Sequence, residues 1–180
     1  MNDNDNNIIL IGMPGAGKST VGVILAKRLG FNFIDTDLII QAREKARLQE
    51  IIDAHGIHYF RHIEEEMLLH LNMEHCVIAT GGSVVYSASG TAGLKRSGLL
   101  VYLAVPLDDL EQRILDMGQR GLVMEQGQTF AQLFQERTPL YELYADLTID
   151  CSGLNAEQVA AAAEEAIRSS WSELTGDTEP

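Results

Sequence analysis

The chain has little cysteine, little positive charge and no long apolar run. Cys76 and Cys151 are the only cysteines in 180 residues. Both fall in apolar runs that read as strands, which points to buried thiols in an intracellular protein rather than to a disulfide framework or a thiolate metal site. Lysine and arginine number 13 against 26 aspartate and glutamate, a formal charge of −13 that repels nucleic acid and anionic lipid. No stretch is long and apolar enough to cross a membrane, and the polar opening Met1-Asn2-Asp3-Asn4-Asp5 lacks the features of a signal peptide. The expectation is a cytoplasmic monomer with no nucleic-acid or membrane partner. No internal repeat is visible, and the length suits one domain over 1–180 with its own core. In so acidic a chain, Arg61, Arg120 and Arg137 stand out.

Against these absences one motif is prominent. Ile8-Ile9-Leu10-Ile11 is a short buried-strand pattern that breaks into Gly12-Met13-Pro14-Gly15-Ala16-Gly17-Lys18-Ser19-Thr20, and Val21 to Leu29 then shows helical spacing closed by Gly30. This is the spacing of a phosphate-binding P-loop, in which glycines let backbone N–H groups wrap nucleotide phosphates, the lysine reaches the β- and γ-phosphates, and the serine hydroxyl ligates magnesium. A loop between strand and helix also aims the positive end of the helix dipole at an anion.

Further strands are predicted at Phe31–Asp35, Cys76–Thr80, Leu99–Val105 and Leu147–Asp150. Helices are predicted at Leu38–Lys45, Leu48–His55, Ile57–Leu71, Leu107–Asp116, Thr129–Tyr144 and Asn155–Leu174, with Gly56 as a break. Alternating strands and helices, with strands that lack a polar face, predict a three-layer α/β fold around a parallel sheet. Residues 118–128 are glycine-rich with little pattern, a candidate mobile lid.

Asp35-Thr36-Asp37 follows the second strand and so lies at the carboxyl edge of the sheet with the P-loop. Two carboxylates there can divide labour, one holding magnesium through water and the other accepting a proton or hydrogen bond from a substrate hydroxyl. The alternative use of Asp37 is as cap of the helix that begins at Leu38. Arg61 and Glu64 share a helix face, which fits either an arginine fork held for a carboxylate or an ordinary surface pair. Gly81-Gly82 ends a strand, where glycines allow backbone to approach a ligand or simply form a turn. His58 and His62 are four apart, but their surroundings do not form the zinc-protease pattern.

In order, Gly12 to Thr20, Asp35-Thr36-Asp37, Phe60-Arg61 with Glu64, Gly81-Gly82 and Arg137-Thr138-Pro139-Leu140-Tyr141 resemble the shikimate kinase family of small P-loop kinases, over Ile8 to about Ala166. The resemblance implies a five-stranded parallel sheet in the order 2-3-1-4-5, substrate-binding helices at about 38–71 and a lid at about 118–128. It implies ATP-dependent phosphorylation of a hydroxyl on a small carboxylate, shikimate first among them, with Mg2+. Asp37 would hold the ring hydroxyls, Arg61 and Arg137 the carboxylate, and Gly81 and Gly82 would meet the substrate through their backbone. Glu64 would steady Arg61, Ser19 and Asp35 would serve magnesium, and Lys18 and Arg120 would neutralise the transferring phosphoryl group.

Three stretches differ from the family pattern. Arg120 is followed by Gly121-Leu122-Val123 where Arg-Pro-Leu-Leu is usual, the triple-glycine stretch reads Thr80-Gly81-Gly82, and Asp150 to Leu154 lacks the basic residue often found near adenine. Two alternatives accompany the leading reading. One is a same-fold kinase for gluconate or a hydroxy amino acid; the other is a nucleotide-binding regulatory module.

Overall fold

Asn7–Ile11 (β1) is buried along its length, and a strand buried on both faces belongs inside a parallel sheet. Cys76–Ala79 (β3) and Gly98–Ala104 (β4) flank it, with Ile9 in register with Ile78 on one side and Leu100 on the other. Asn32–Asp35 (β2) adds outside β3 and Leu147–Asp150 (β5) outside β4. All pairings are parallel and the order is β2-β3-β1-β4-β5, as expected from the resemblance. The computed structural model that shows this describes residues 7–117, 122–125 and 127–175. Arg120, Gly121 and part of the anticipated lid lie outside those residues.

Helices supply the outer layers. Lys18–Leu29 (α1) packs on Ala156–Thr175 (α8) and against β3. The alanine-rich face of α8 lets the two helices come close: Ala160, Ala163 and Ile167 have no exposed surface. Ala88–Ser97 (α5) and Phe130–Tyr144 (α7) pack against β4. Thr36–Glu44 (α2), Leu48–His55 (α3) and Ile57–Leu69 (α4) form the helical group after β2, and Leu107–Met117 (α6) follows β4. At the amino ends of the strands, the buried side chain of Asn7 donates to Met73 O at 2.6 Å and Ser97 O at 3.1 Å and accepts from Cys76 N at 3.1 Å. Each of its hydrogen bonds offsets the cost of burying a polar group.

Several boundaries differ from the sequence reading, each for a local reason. The helix α1 starts at Lys18, because Gly17 at φ 91° turns the chain directly into it. The helix α2 starts at Thr36, because the Asp35 carboxylate accepts from Asp37 N and Leu38 N. The cap is therefore Asp35, and Asp37 sits in the first turn with its side chain free for other use. The 3-10 turn Val84–Tyr86 and α5 had no counterpart in the sequence reading. Two glycines and three serines between 83 and 98 hide the α5 periodicity, which Ser87 nonetheless opens by capping Gly90 N at 2.8 Å. Cys76 and Cys151 are free and buried, although Cys151 lies one residue past β5.

Candidate active site

Parallel strands bring all their carboxyl ends to one edge, where ligands of open α/β sheets bind. The loop after β1 reaches that edge with Gly15 at φ 80° and Gly17 at φ 91°, backbone that a side chain would strain. No side chain caps α1, so its first N–H groups face outward for an anion. Met13 and Ala16 are buried and serve packing, while Thr20 is exposed. The Lys18 ammonium donates to Gly12 O at 2.8 Å and Met13 O at 2.9 Å. Burial pushes this amine down to about 8, opposed by the charge of Asp37 and assisted by that of Arg137. Beside the loop lies a cavity of about 410 Å³ lined by Gly15, Gly17, Thr20, Arg113, Cys151 and Asn155. Arg113 of α6, which the sequence reading passed over, brings a basic group there and donates to Gly15 O at 3.3 Å.

Ser19 Oγ donates to Asp35 Oδ2 at 2.6 Å, so the two oxygen ligands anticipated for magnesium are adjacent. Hard oxygen donors at the mouth of a phosphate loop are the donor set that magnesium prefers.

A second group forms where β3 meets α2 and α4. Gly81 N donates to Thr36 Oγ1 at 3.2 Å, and Thr80 Oγ1 donates to Leu10 O at 2.9 Å, pinning the Gly81-Gly82 turn to the sheet. A Cβ on Gly81 would collide with Glu64 Oε1 and Asp37 Oδ1; one on Gly82 would come within 3.0 Å of Arg137 Nη1 and of Pro14 Cδ. A side chain at either position would thus press on the side chains that line the pocket. Asp37 Oδ1 and Glu64 Oε1 are buried without a hydrogen-bond partner. Burial, with the neighbouring Asp35 charge, lifts Asp37 to about 6 despite Lys18. Burial likewise lifts Glu64 to about 7, against the bond it accepts from Ser83 Oγ at 2.6 Å and with help from the Asp37 charge.

Arg61 and Arg137 converge on this group. Arg137 has no exposed surface; its Nε donates to Tyr86 Oη at 3.1 Å and one terminal nitrogen to Val123 O at 2.6 Å, while Nη1 has no partner. Arg61 lies with its guanidinium carbon 4.5 Å from the centre of the Tyr86 ring, and its buried Nε has no partner. Its ion pair is with Glu125, at 3.3 Å, rather than with Glu64. The expected steadying of Arg61 by Glu64 is corrected accordingly: Ser83 has captured the Glu64 carboxylate, which acts on Arg61 only through its charge. Asp37, Phe60, Gly81, Gly82, Val123 and Arg137 enclose a cavity of only about 20 Å³, too small for a ring acid unless the lining parts. Tyr141 fixes the wall, its hydroxyl donating to Gly82 O at 2.6 Å. Ser83, Tyr86 and Glu125 were invisible to sequence reasoning, since none belongs to a motif, and Val123, noted only as part of the divergent lid stretch, meets Arg137 only through the fold.

The site therefore joins a phosphate loop to a pocket of two arginines, a carboxylate pair and bare glycine backbone. The shikimate kinase family model matches residues 14–168. The chain belongs to the shikimate kinase family. A curated shikimate kinase of Thermodesulfovibrio yellowstonii is 39% identical over 157 residues, covering 86% of this chain and 90% of the relative. A shikimate kinase from Acinetobacter baumannii, solved in complex with shikimate, superposes with a TM-score of 0.85 at 34% identity, covering 92% and 94% of the two chains. A gluconokinase from Sinorhizobium meliloti shares the fold alone, at 17% identity and a TM-score of 0.57.

Proposed function

We propose that this chain transfers the γ-phosphoryl group of ATP to a hydroxyl of shikimate, holding the acid by Arg61 and Arg137. The observation that carries the assignment of the acid site is the approach of those two arginines, each with a buried unpartnered nitrogen, to one tyrosine ring, with Arg137 also lining the wall formed by Asp37, Gly81 and Gly82. Arginine forks match carboxylates, and a charge buried like that of Arg137 is stabilised by a counterion brought by the substrate.

In this reading Gly12 to Thr20 wrap the ATP phosphates, and the cavity lined by Arg113 and Asn155 takes the base. Asp37 orients the acceptor hydroxyl and takes its proton as the bond to phosphorus forms; with its acidity lowered to about 6, it is a better base than an ordinary aspartate and still ionised at neutral pH. Lys18 leaves the carbonyls of Gly12 and Met13 to meet the phosphates, and Arg120 approaches the same charge. Magnesium, for which Ser19 and Asp35 supply fitting oxygens, would neutralise charge on the β- and γ-phosphates. The departure at Gly121-Leu122-Val123 keeps the arginine in the sequence, and closure of the lid at about 118–128 over the bound substrates would exclude water. We read residues 1–180 as a single domain with its lid at about 118–128, acting as a monomer in the cytoplasm, without nucleic-acid or membrane partners. The net charge of −13 supports that last reading, and no described helix is long and apolar enough to span a membrane.

A coupled assay with ATP, magnesium and shikimate tests the assignment, with gluconate as the competing acceptor. Turnover with shikimate well above the ATPase background is expected; preference for gluconate, or background rates with both, would overturn it.

A further inference from the structure

Two guanidinium groups brought to one pocket repel each other, and before an acid arrives something else must hold them together. Glu64 would be the natural counterion, yet its carboxylate is bound to Ser83 and lifted to about 7. The group that touches both arginines is Tyr86. The Arg61 guanidinium carbon stands 4.5 Å from the Tyr86 ring centre and that of Arg137 stands 5.0 Å away, both within reach of the ring's negative face. The phenol oxygen also accepts from Arg137 Nε at 3.1 Å. The nitrogens left over, Arg61 Nε and Arg137 Nη1, are buried and unpartnered.

We propose that Tyr86 is a positioning residue for the acid site: its ring holds both guanidinium groups, and its hydroxyl orients Arg137, so that their free nitrogens present one preformed fork to the substrate carboxylate. The surrounding structure supports a rigid platform. Tyr86 ends a 3-10 turn whose preceding residues, Val84 and Val85, are almost wholly buried, and Tyr86 N donates to Ser83 O at 3.0 Å. The same turn begins two residues after Gly82, so only Ser83 separates the platform from the glycine wall. Burial raises the phenol above its ordinary value, and Glu136 adds to this against the pull of Arg137, so the ring stays neutral at working pH. An aromatic ring does for two cations what a carboxylate could not do without competing for them: it attracts both and leaves their forward N–H groups open.

This inference rests on the shikimate reading, and its test separates the two. KM for shikimate, KM for ATP, kcat and melting temperature are measured for the full chain and for Tyr86→Leu and Tyr86→Phe. Tyr86→Leu loses both ring and hydroxyl, and KM for shikimate is expected to rise roughly 5- to 30-fold, the range of a desolvated cation–π contact together with a hydrogen bond. Tyr86→Phe keeps the ring and should raise it only about two- to fivefold, from the lost acceptor on Arg137. In both, KM for ATP and the melting temperature stay near those of the unmutated chain, which a merely structural residue would not allow. A KM for shikimate unchanged in Tyr86→Leu, or one that rises in step with KM for ATP, overturns the role of Tyr86 while leaving the kinase assignment standing. An unmutated chain that does not turn over shikimate overturns both. If Tyr86→Leu does not fold, Tyr86→Phe decides by whether its KM for shikimate rises at all.

Discussion

The phosphate loop and the acid pocket occupy one edge of one sheet but are assembled in opposite ways. Gly12 to Thr20 are contiguous, and what they need comes from their own backbone: positive-φ glycines, an uncapped helix end, and a lysine folded on two local carbonyls. The pocket draws Asp37 from α2, Arg61 and Glu64 from α4, Gly81 and Gly82 from the end of β3, and Arg137 from α7. Its groups are oriented by side chains distant in sequence, as with Ser83 on Glu64 and Tyr86 on Arg137. A local site tolerates change around it and fails when one of its own residues is changed; a dispersed site is sensitive to its supports.

The sharpest way to break this contrast is inside the loop. Lys18→Met should lower kcat roughly 100- to 1,000-fold by removing charge stabilisation from the transferring phosphoryl group. The melting temperature should hold or rise, because burial, with the charge of Arg137, pushes this amine down to about 8 and the methionine keeps the apolar stem without the buried charge. Steady-state kinetics and a thermal melt check both halves; a lysine that proved necessary for stability would show the loop to be less self-contained than it looks.

In the pocket the corresponding change is Arg137→Lys. It keeps the charge and gives up the planar fork that reaches Tyr86 and Val123 at once. KM for shikimate should rise about 10- to 100-fold, the equivalent of one or two charge-assisted hydrogen bonds. KM for ATP should move far less, and a parallel rise in both would dissolve the distinction between the two regions.

The same contrast explains what could be read before the structure. The strand order and the strand–loop–helix placement of the P-loop follow from contiguous motifs and the topology that their family imposes, and both are present. Arg61 and Arg137 were named, but their surroundings were not. The spacing of Arg61 and Glu64 on one helix face left their partnership open and the resemblance gave Glu64 to Arg61, a pairing that Ser83 overrides from across the pocket. The helix α5 was missed because glycines and serines blur its period, and Asp35 rather than Asp37 became the cap because its carboxylate alone reaches back over the first turn. Arg120 lies outside the described residues, and its role remains part of the proposal.

A stability measurement probes how the dispersed site is held. Glu64 rises from an ordinary value of 4.5 to about 7 on folding, so between those limits the folded chain binds more protons than the unfolded one and stability falls as pH rises. The contribution is fully present below 4.5 and lost by about 7. One extra proton corresponds to a decline of about 3–5 °C in melting temperature per pH unit for a chain of this size. Glu64→Gln should flatten this slope, leaving the smaller part due to Asp37, whose raised value of about 6 acts in the same direction. An unchanged slope would mean that Glu64 is ionised in the fold and that the pocket holds its carboxylates as solvated charges.

The smallest effect lies at the rim. Glu125 places its carboxylate 3.3 Å from an Arg61 terminal nitrogen, on a pair that is partly exposed on both sides. An incoming acid held at the free Arg61 Nε meets this second carboxylate on the same guanidinium, so the contact competes with substrate binding by the modest worth of an exposed ion pair, about 0.2–1 kcal/mol. Glu125→Gln should therefore lower KM for shikimate up to about fivefold with kcat unchanged. The gain should shrink as salt is added, because screening weakens the pair in the unmutated chain. The variant thus separates the two kinds of cation in the pocket: Arg137, buried and oriented by Tyr86, can be improved only by the substrate, whereas Arg61 at the rim already has a competitor that a single substitution removes. A KM that rises in Glu125→Gln would place the glutamate among the supports of Arg61 and extend the dispersed site by one more residue.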